Sequence, residues 1–292
     1  MQQIRADKWL KGAFPSLTRR HVHEVFEKGW VKCKQGHTLK KGDSICPDAL
    51  PEVEELVCFL KKLRTGNAAL PIPLVVEMDD FCIVDKPPGV PSHPLSLFDE
   101  ATVTHWAFAR FPLIEAQFPA IQPTIVPHRL DTWTSGILIV AKTQEAYQRW
   151  RSRFISKEVE KKYLAWCWGN PGKSRFVIDT TILHDPSDRR KMKAAADDED
   201  SGLGTALTQV SILQQRSGYF LAEMMCKTGI THQIRVHMAC AGFPHLGDKL
   251  YDPFFSSRAI QPGYHQLRAS VLITPEGEFK VDTSVFEKGL DF

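Results

Sequence analysis

The sequence predicts an α+β protein in two units, and three observations carry that expectation. Two short runs rich in β-branched and apolar residues, 74–78 and 81–84, flank Asp79-Asp80 and read as a hairpin. The apolar run Ile137-Leu138-Ile139-Val140-Ala141 reads as a buried strand, and after it Ala146, Trp150 and Phe154 mark one face of a helix over 144–155. Charge is unevenly placed: residues 1–46 hold ten Lys or Arg against four acids, although the whole chain carries only +3. A length of 292 residues suits two domains, and 43% hydrophobic with 24% charged residues is enough to bury a full core. Because the net charge is small, a nucleic-acid footprint must come from local clustering.

The expected units are a small basic one at 1–50, a connector at 51–73 and a larger one at 74–292. In the first, Thr18 is placed to cap a helix whose apolar face holds Val22, Val25 and Phe26, with Gly29 ending it. Trp30-Val31-Lys32-Cys33-Lys34 alternates like a strand, and Gln35-Gly36 suits a tight turn. Arg19 and Arg20 fall on the helix's first turn, free to reach phosphates. Pro51, Pro71 and Pro73 punctuate the connector, where Val53, Leu56, Val57 and Leu60 keep helical spacing.

Chemistry concentrates at His128-Arg129-Leu130-Asp131-Thr132-Trp133-Thr134-Ser135-Gly136, a polar turn leading into the buried strand. A carboxylate set among His, Arg, Thr and Ser can be held ionised and aimed, as a nucleophile or general base must be, but it also suits a plain turn. Further on, Tyr163-Leu164-Ala165 opens a strand, and Thr228-Gly229-Ile230-Thr231-His232-Gln233-Ile234-Arg235-Val236-His237 leads to Gly247-Asp248-Lys249-Leu250-Tyr251. Lys86-Pro87-Pro88-Gly89, continuing to Ser92-His93-Pro94, is too proline-rich for a regular element and reads as a loop. Arg189, Arg190, Lys191 and Lys193 carry charge for an RNA backbone, beside an acidic run at 197–200 that marks an exposed loop.

Other chemistries find little support. The seven cysteines, at 33, 46, 58, 82, 167, 226 and 240, form no C-x-x-C pair, so reduced thiols in a reducing compartment are expected. Cys and His never meet at zinc-ligand spacing, and neither G-x-G-x-x-G nor a P-loop is present, so no metal and no cofactor are expected. No apolar run approaches eighteen residues and the start carries no signal-peptide core, which points to a soluble cytoplasmic protein. No heptad pattern stands out, so a monomer is expected.

The H-R-L-D-x-x-T-S-G segment resembles the active-site motif of the RluA-type RNA pseudouridine synthases. K-x-Y-L-A-x-x-x-G from Lys161, T-G-x-T-H-Q-I-R-V-H from Thr228 and K-P-x-G-x-x-x-H-P from Lys86 resemble further segments of that family, as does D-R-x-K-M from Asp188. The basic start is similar to the RNA-binding domain first described in ribosomal protein S-four, through R-x-D-K-W-L from Arg5, L-T-R-R from Leu17, E-x-G-x-V from Glu27 and K-K-G-D from Lys40.

The resemblance implies a mixed, largely antiparallel sheet with flanking helices, plus a small α/β RNA-binding domain. It implies conversion of uridine to pseudouridine in structured RNA, ribosomal or transfer, without a cofactor. Asp131 would be the nucleophile, Tyr163 would line the uridine pocket and Arg235 would pair with Asp131. His128, Arg129, Leu130, Thr134, His232, Gln233 and Ile234 would bind substrate, and Arg5, Lys8, Arg19, Arg20, Lys40 and Lys41 would bind RNA. Two departures stand out: Ile230 where the family carries arginine, and Arg268 in L-R-A where it carries histidine. An inactive RNA-binding protein of the same fold is the alternative. A glycoside-type hydrolase would want a second catalytic carboxylate, which no motif places.

Overall fold

The computed structural model describes residues 3–15, 17–46, 50–62, 65–118, 125–195 and 205–289; the acidic run at 197–200 lies outside them. The basic unit opens with strand β1 (Ile4–Arg5), helix α1 (Ala6–Ala13) and helix α2 (Arg19–Glu27), followed by β2 (Ser44–Ile45), which pairs antiparallel with β1. Thr18 caps α2 as expected, its hydroxyl accepting from the His21 N–H, while Gly29 leaves the helix at φ +69°. Residues 30–34 do not form the expected strand. Only isolated bridges from Lys32 to Thr38 and to Glu52 form, because the chain reverses at once through the turn closed by the Gly36 N–H on the Cys33 carbonyl.

The stretch expected as a connector contains helix α3 (Glu54–Lys62), and its Leu56 and Leu60 are buried with Leu10, Leu17, Val22, Val25 and Val31. Leu97, which follows the proline-rich loop of the larger unit, is buried in the same cluster, and its N–H donates to Glu24 Oε2 at 2.9 Å. Phe98 packs against Trp30 and Phe59. The N-terminal core is therefore completed by a residue from beyond position 74.

The larger unit runs β3 (Leu74–Glu77), β4 (Phe81–Lys86), α4 (Val103–Arg110), α5 (Ile114–Gln117), β5 (Ser135–Ala141), α6 (Gln144–Ile155), β6 (Glu160–Trp168), β7 (Arg175–His184), β8 (Met192–Ala194), β9 (Thr205–Gln215), β10 (Tyr219–Cys226), α7 (Gln233–Cys240), a 3-10 turn at Phe255–Ser257, β11 (Leu267–Thr274), β12 (Gly277–Lys280) and α8 (Ser284–Lys288). The strands form one ten-stranded sheet ordered β3-β4-β5-β11-β6-β10-β9-β7-β8, with β12 on β11. Among the described pairs only β5 with β11 is parallel. The sheet is thus mixed and largely antiparallel, with helices packed on it.

The hairpin of β3 and β4 and the helix α6 lie where the sequence places them. All seven residues of β5 are buried, which explains its unbroken apolar run. One apolar cluster joins β4 and β5 to Trp106 and Ala107 of α4 and Trp150 of α6; a second joins β6, β9 and β10 to Ile234 and Met238 of α7. Tyr163 of β6 packs against both, at the seam where the cleft opens.

Both departures from the family motifs find partners. Ile230 packs with Met192, Ile182 and Val236. Arg268 on β11 reaches Asp85 on β4 at 2.6 Å and the Asp282 carbonyl at 2.7 Å, tying strands on either side of β5.

Candidate active site

A cleft of about 780 Å³ lies over the seam, lined by residues 126–131 and Thr134, the end of α6, Lys161 and Tyr163 of β6, Cys226, the 228–235 segment, His93 and Leu95 of the proline-rich loop, the α2 cap Thr18 and His21 of α2. Asp131 sits at the start of a turn that the Thr134 N–H closes on its carbonyl at 3.0 Å. That turn is held from three sides. Lys86, fully buried, donates to the carbonyls of Thr132 (3.0 Å), Val90 (2.8 Å) and Pro87 (3.0 Å). The Ser92 hydroxyl donates to the Leu130 carbonyl and accepts the Leu130 N–H, and Thr134 Oγ1 lies 2.9 Å from His265 Nε2. Gly136 follows at φ +112°, where any Cβ would stand 1.9 Å from the Ala269 carbonyl oxygen; only glycine lets β5 lie against β11.

Arg235, on the first turn of α7, places Nη1 3.0 Å from Asp131 Oδ2. Its Nε and Nη2 grip both oxygens of Asp248 at 2.8 Å each. Asp248 is 1% exposed and also accepts the N–H groups of Leu250 and Tyr251. Burial pushes its carboxyl up, but the Arg235 hydrogen bonds and charge outweigh this and bring it down to about 2. Asp131 is 28% exposed, so one carboxylate anchors the guanidinium while the other faces the cleft.

His232 precedes α7 in the left-handed region (φ 58°), an uncommon state for a non-glycine residue. Its Nδ1 lies 2.7 Å from the Tyr251 hydroxyl, which also accepts the Met192 N–H. Burial keeps the imidazole pKa below its ordinary value. Its Nε2 stands 3.6 Å from Asp131 Oδ2, within electrostatic reach but too far for a hydrogen bond.

The remaining residues expected at the site divide into two groups. Arg129 is exposed on the cleft and donates to Thr231 Oγ1 at 2.8 Å. His128 lines the cleft, but its Nε2 accepts the Ile139 N–H at 3.0 Å, and burial pulls it down to about 3, so it stays neutral. Gln233 is consumed internally: its carbonyl accepts from Thr228 and Ile230, and its amide donates to Leu207 and Thr208. Leu130 and Ile234 are buried wall residues. Burial, then nearby Cys226 and Asp131, raise the Tyr163 hydroxyl well above its usual range, so it is held as a neutral phenol.

Four residues that the motifs contain, but to which the sequence assigned no role, join this group: Lys86, Ser92, Lys161 and Asp248. Lys161 is 6% exposed and lines the cleft; its Nζ donates to the Thr228 carbonyl at 2.6 Å and meets no carboxylate among the described residues. Burial lowers its pKa, opposed by Cys226. No group of three His, Cys, Asp or Glu side chains among the described residues is placed to hold a metal, and no described helix is long and apolar enough to cross a membrane. The six basic residues of the N-terminal unit expected to meet RNA are all exposed; Arg5 pairs with Asp7 and Arg20 with Glu24.

Comparison with known proteins is consistent across sequence and structure. Residues 80–240 match the family model described as RNA pseudouridylate synthase. A ribosomal large subunit pseudouridine synthase D of Borreliella burgdorferi is 33% identical over 258 residues, covering 85% of this chain and 76% of the relative. An uncharacterized RNA pseudouridine synthase of Synechocystis is 29% identical over 283 residues, covering 94% and 83%. Among solved structures, human RNA pseudouridylate synthase domain containing 1 superposes with a TM-score of 0.60 at 26% identity, covering 75% of this chain and 86% of that one.

Proposed function

Because the chain belongs to the RNA pseudouridylate synthase family and is an RNA pseudouridine synthase of the RluA type, we propose that Asp131 is its nucleophile, acting on a uridine flipped into the cleft. The observation that carries this reading is the relay from buried Asp248 through Arg235 to the half-open carboxylate of Asp131. Arginine does not lose its proton, so it neutralises and aims Asp131 at every working pH. Tyr163 supplies a ring face for the uracil. Held as a neutral phenol, it stacks and hydrogen-bonds; taking the carbon-five proton would require passing its own on.

Breaking the bond between the anomeric carbon and N1 sends the electron pair to the base, whether Asp131 attacks that carbon or first removes a sugar proton. The detached uracil then carries negative charge spread over N1 and its carbonyl oxygens. Lys161, buried at the pocket wall without a carboxylate partner among the described residues, is the cation placed to stabilise that charge. The flipped base must rotate before carbon five bonds to the sugar, and the apolar walls of Ile234, Leu267 and Phe154 retain it meanwhile.

The proposed substrate is large-subunit ribosomal RNA, supported by the names of relatives near one third identical. Lys8, Arg19, Lys40 and Lys41, exposed and without ion pairs among the described residues, would bind its phosphates, with Arg5 and Arg20 assisting. The test is a site-resolved pseudouridine map of total RNA from cells lacking the protein, rescued by wild type or by Asp131→Asn. Loss of a ribosomal site restored only by wild type is expected. Equal rescue by Asp131→Asn would overturn the assignment of Asp131, and an unchanged map the assignment of substrate.

A further inference from the structure

Trp133 is two residues from Asp131 and plays no part in the site described above. It is 49% exposed and belongs to none of the apolar clusters among the described residues. A tryptophan at the tip of a turn gains little by burial there, and serine, asparagine or glycine would serve the turn better. Its position is nonetheless tightly set. The preceding carbonyl, of Thr132, is gripped by Lys86 Nζ and by the Gly89 N–H at 2.9 Å. The indole rests over Gly89, where an added Cβ would come 3.0 Å from the ring. Tyr264 stacks beside it nearly parallel, with ring centroids 5.5 Å apart at 17°. The result is a fixed two-ring plate, half open to water, on the same turn as the candidate nucleophile.

We propose that Trp133 and Tyr264 form a stacking subsite for an unpaired nucleobase adjacent to the target uridine. This inference rests on the reading of the cleft as a uridine site. Trp133 and Asp131 share one four-residue turn, whose end Cα atoms lie within about 7 Å of each other, so the plate is carried on the same piece of chain as the candidate nucleophile. Flipping the uridine removes a stacking partner from each neighbour in the strand. An aromatic plate on the turn that carries Asp131 replaces one of those contacts and favours the flipped state. Because every base has a π face, the subsite favours any base over none and purines over pyrimidines.

The test is a binding cycle on the purified full chain. The probes are fluorescein-labelled RNA hairpins with a seven-nucleotide loop containing one central uridine and six adenosines, and matched hairpins in which each adenosine in turn is replaced by an abasic ribose. Wild type should bind one abasic hairpin about 5- to 150-fold more weakly than its parent. Trp133→Ala should lose a similar factor on the parent and nothing further on that abasic hairpin. Trp133→Phe should retain most of the coupling, whereas Trp133→Leu, which keeps apolar bulk without a π face, should lose it. An absence of coupling at all six positions, or a Trp133→Leu protein that behaves as wild type, overturns the proposal. Failure of the uridine reading shows separately, as wild type that forms no pseudouridine in any RNA even where the binding cycle reports stacking.

Discussion

Replacing Asp248 by Asn tests whether the buried carboxylate is what holds Arg235 in place. The substitution preserves shape but turns one acceptor oxygen into an NH2 donor facing the guanidinium, and it leaves Arg235, 8% exposed, with Asp131 as its one carboxylate partner among the described residues. Two routes give the magnitude. Bringing the Asp248 carboxyl down from 3.8 to about 2 corresponds to about 2 kcal/mol of stabilisation at 1.36 kcal/mol per pH unit. Removing one partner of a buried pair typically costs about 3–5 kcal/mol, because the stranded charge keeps its desolvation penalty. At about 2 °C per kcal/mol for a chain this long, the two routes together give a fall of about 4–10 °C in thermal unfolding followed by circular dichroism. The same protein should keep its RNA affinity but lose about 100-fold in kcat, since a displacement near 1 Å of a catalytic group has that order of effect. A melting point within about 2 °C of wild type, or an unchanged kcat, would refute the argument that Asp248 fixes the site through Arg235.

The same carboxylate gives a pH signature. Its folded pKa is depressed, so its contribution is present above the unfolded value near 4 and is lost as pH falls towards 2; urea unfolding should show about 2 kcal/mol more lost over that window in wild type than in Asp248→Asn. Lys161→Met should lower kcat about 100- to 1,000-fold, the usual loss for a donor aimed at developing charge, with KM little altered in steady-state assays on an unmodified transcript of an RNA the protein converts. Ser92→Ala leaves the Leu130 N–H and carbonyl without their shared partner, so a loss of about 1–3 kcal/mol should appear in the urea midpoint. Gly136→Ala, placing a Cβ 1.9 Å from the Ala269 carbonyl at positive φ, should give protein that unfolds at lower urea or fails to accumulate in soluble form.

What the sequence made legible was local. Alternation and turn residues located β3 and β4, helical spacing located α6, and Thr18 announced the cap of α2. The Asp131 and Arg235 motifs, 104 residues apart, were joined only by resemblance, and the structure places their side chains 3.0 Å apart. Periodicity carries no information about such a contact. For the same reason Asp248 and Lys86 sat inside quoted motifs without a role, since what matters is the groups they meet through space. The failed strand at 30–34 alternates correctly, yet a strand also needs a neighbour of matching length, and here the chain turns back after one bridge. Gln233 and His128 illustrate the opposite difficulty: a polar residue inside an active-site motif can spend its hydrogen bonds on the scaffold that shapes the motif.

Leu97, seated in the N-terminal cluster, bears on the order in which the chain is made. Synthesis delivers the first sixty residues well before Leu97 emerges, and a segment that short buries too little apolar surface to be secure alone. The N-terminal unit therefore does not close its core as an early, finished piece; it waits for a residue that follows the proline-rich loop of the larger unit. A gene cut between residues 62 and 74 would yield two defective halves, one with a socket and one with an exposed plug. Circular permutants or fusions of this protein should keep the stretch from Leu10 to Phe98 intact, because the chain's history of assembly runs through it.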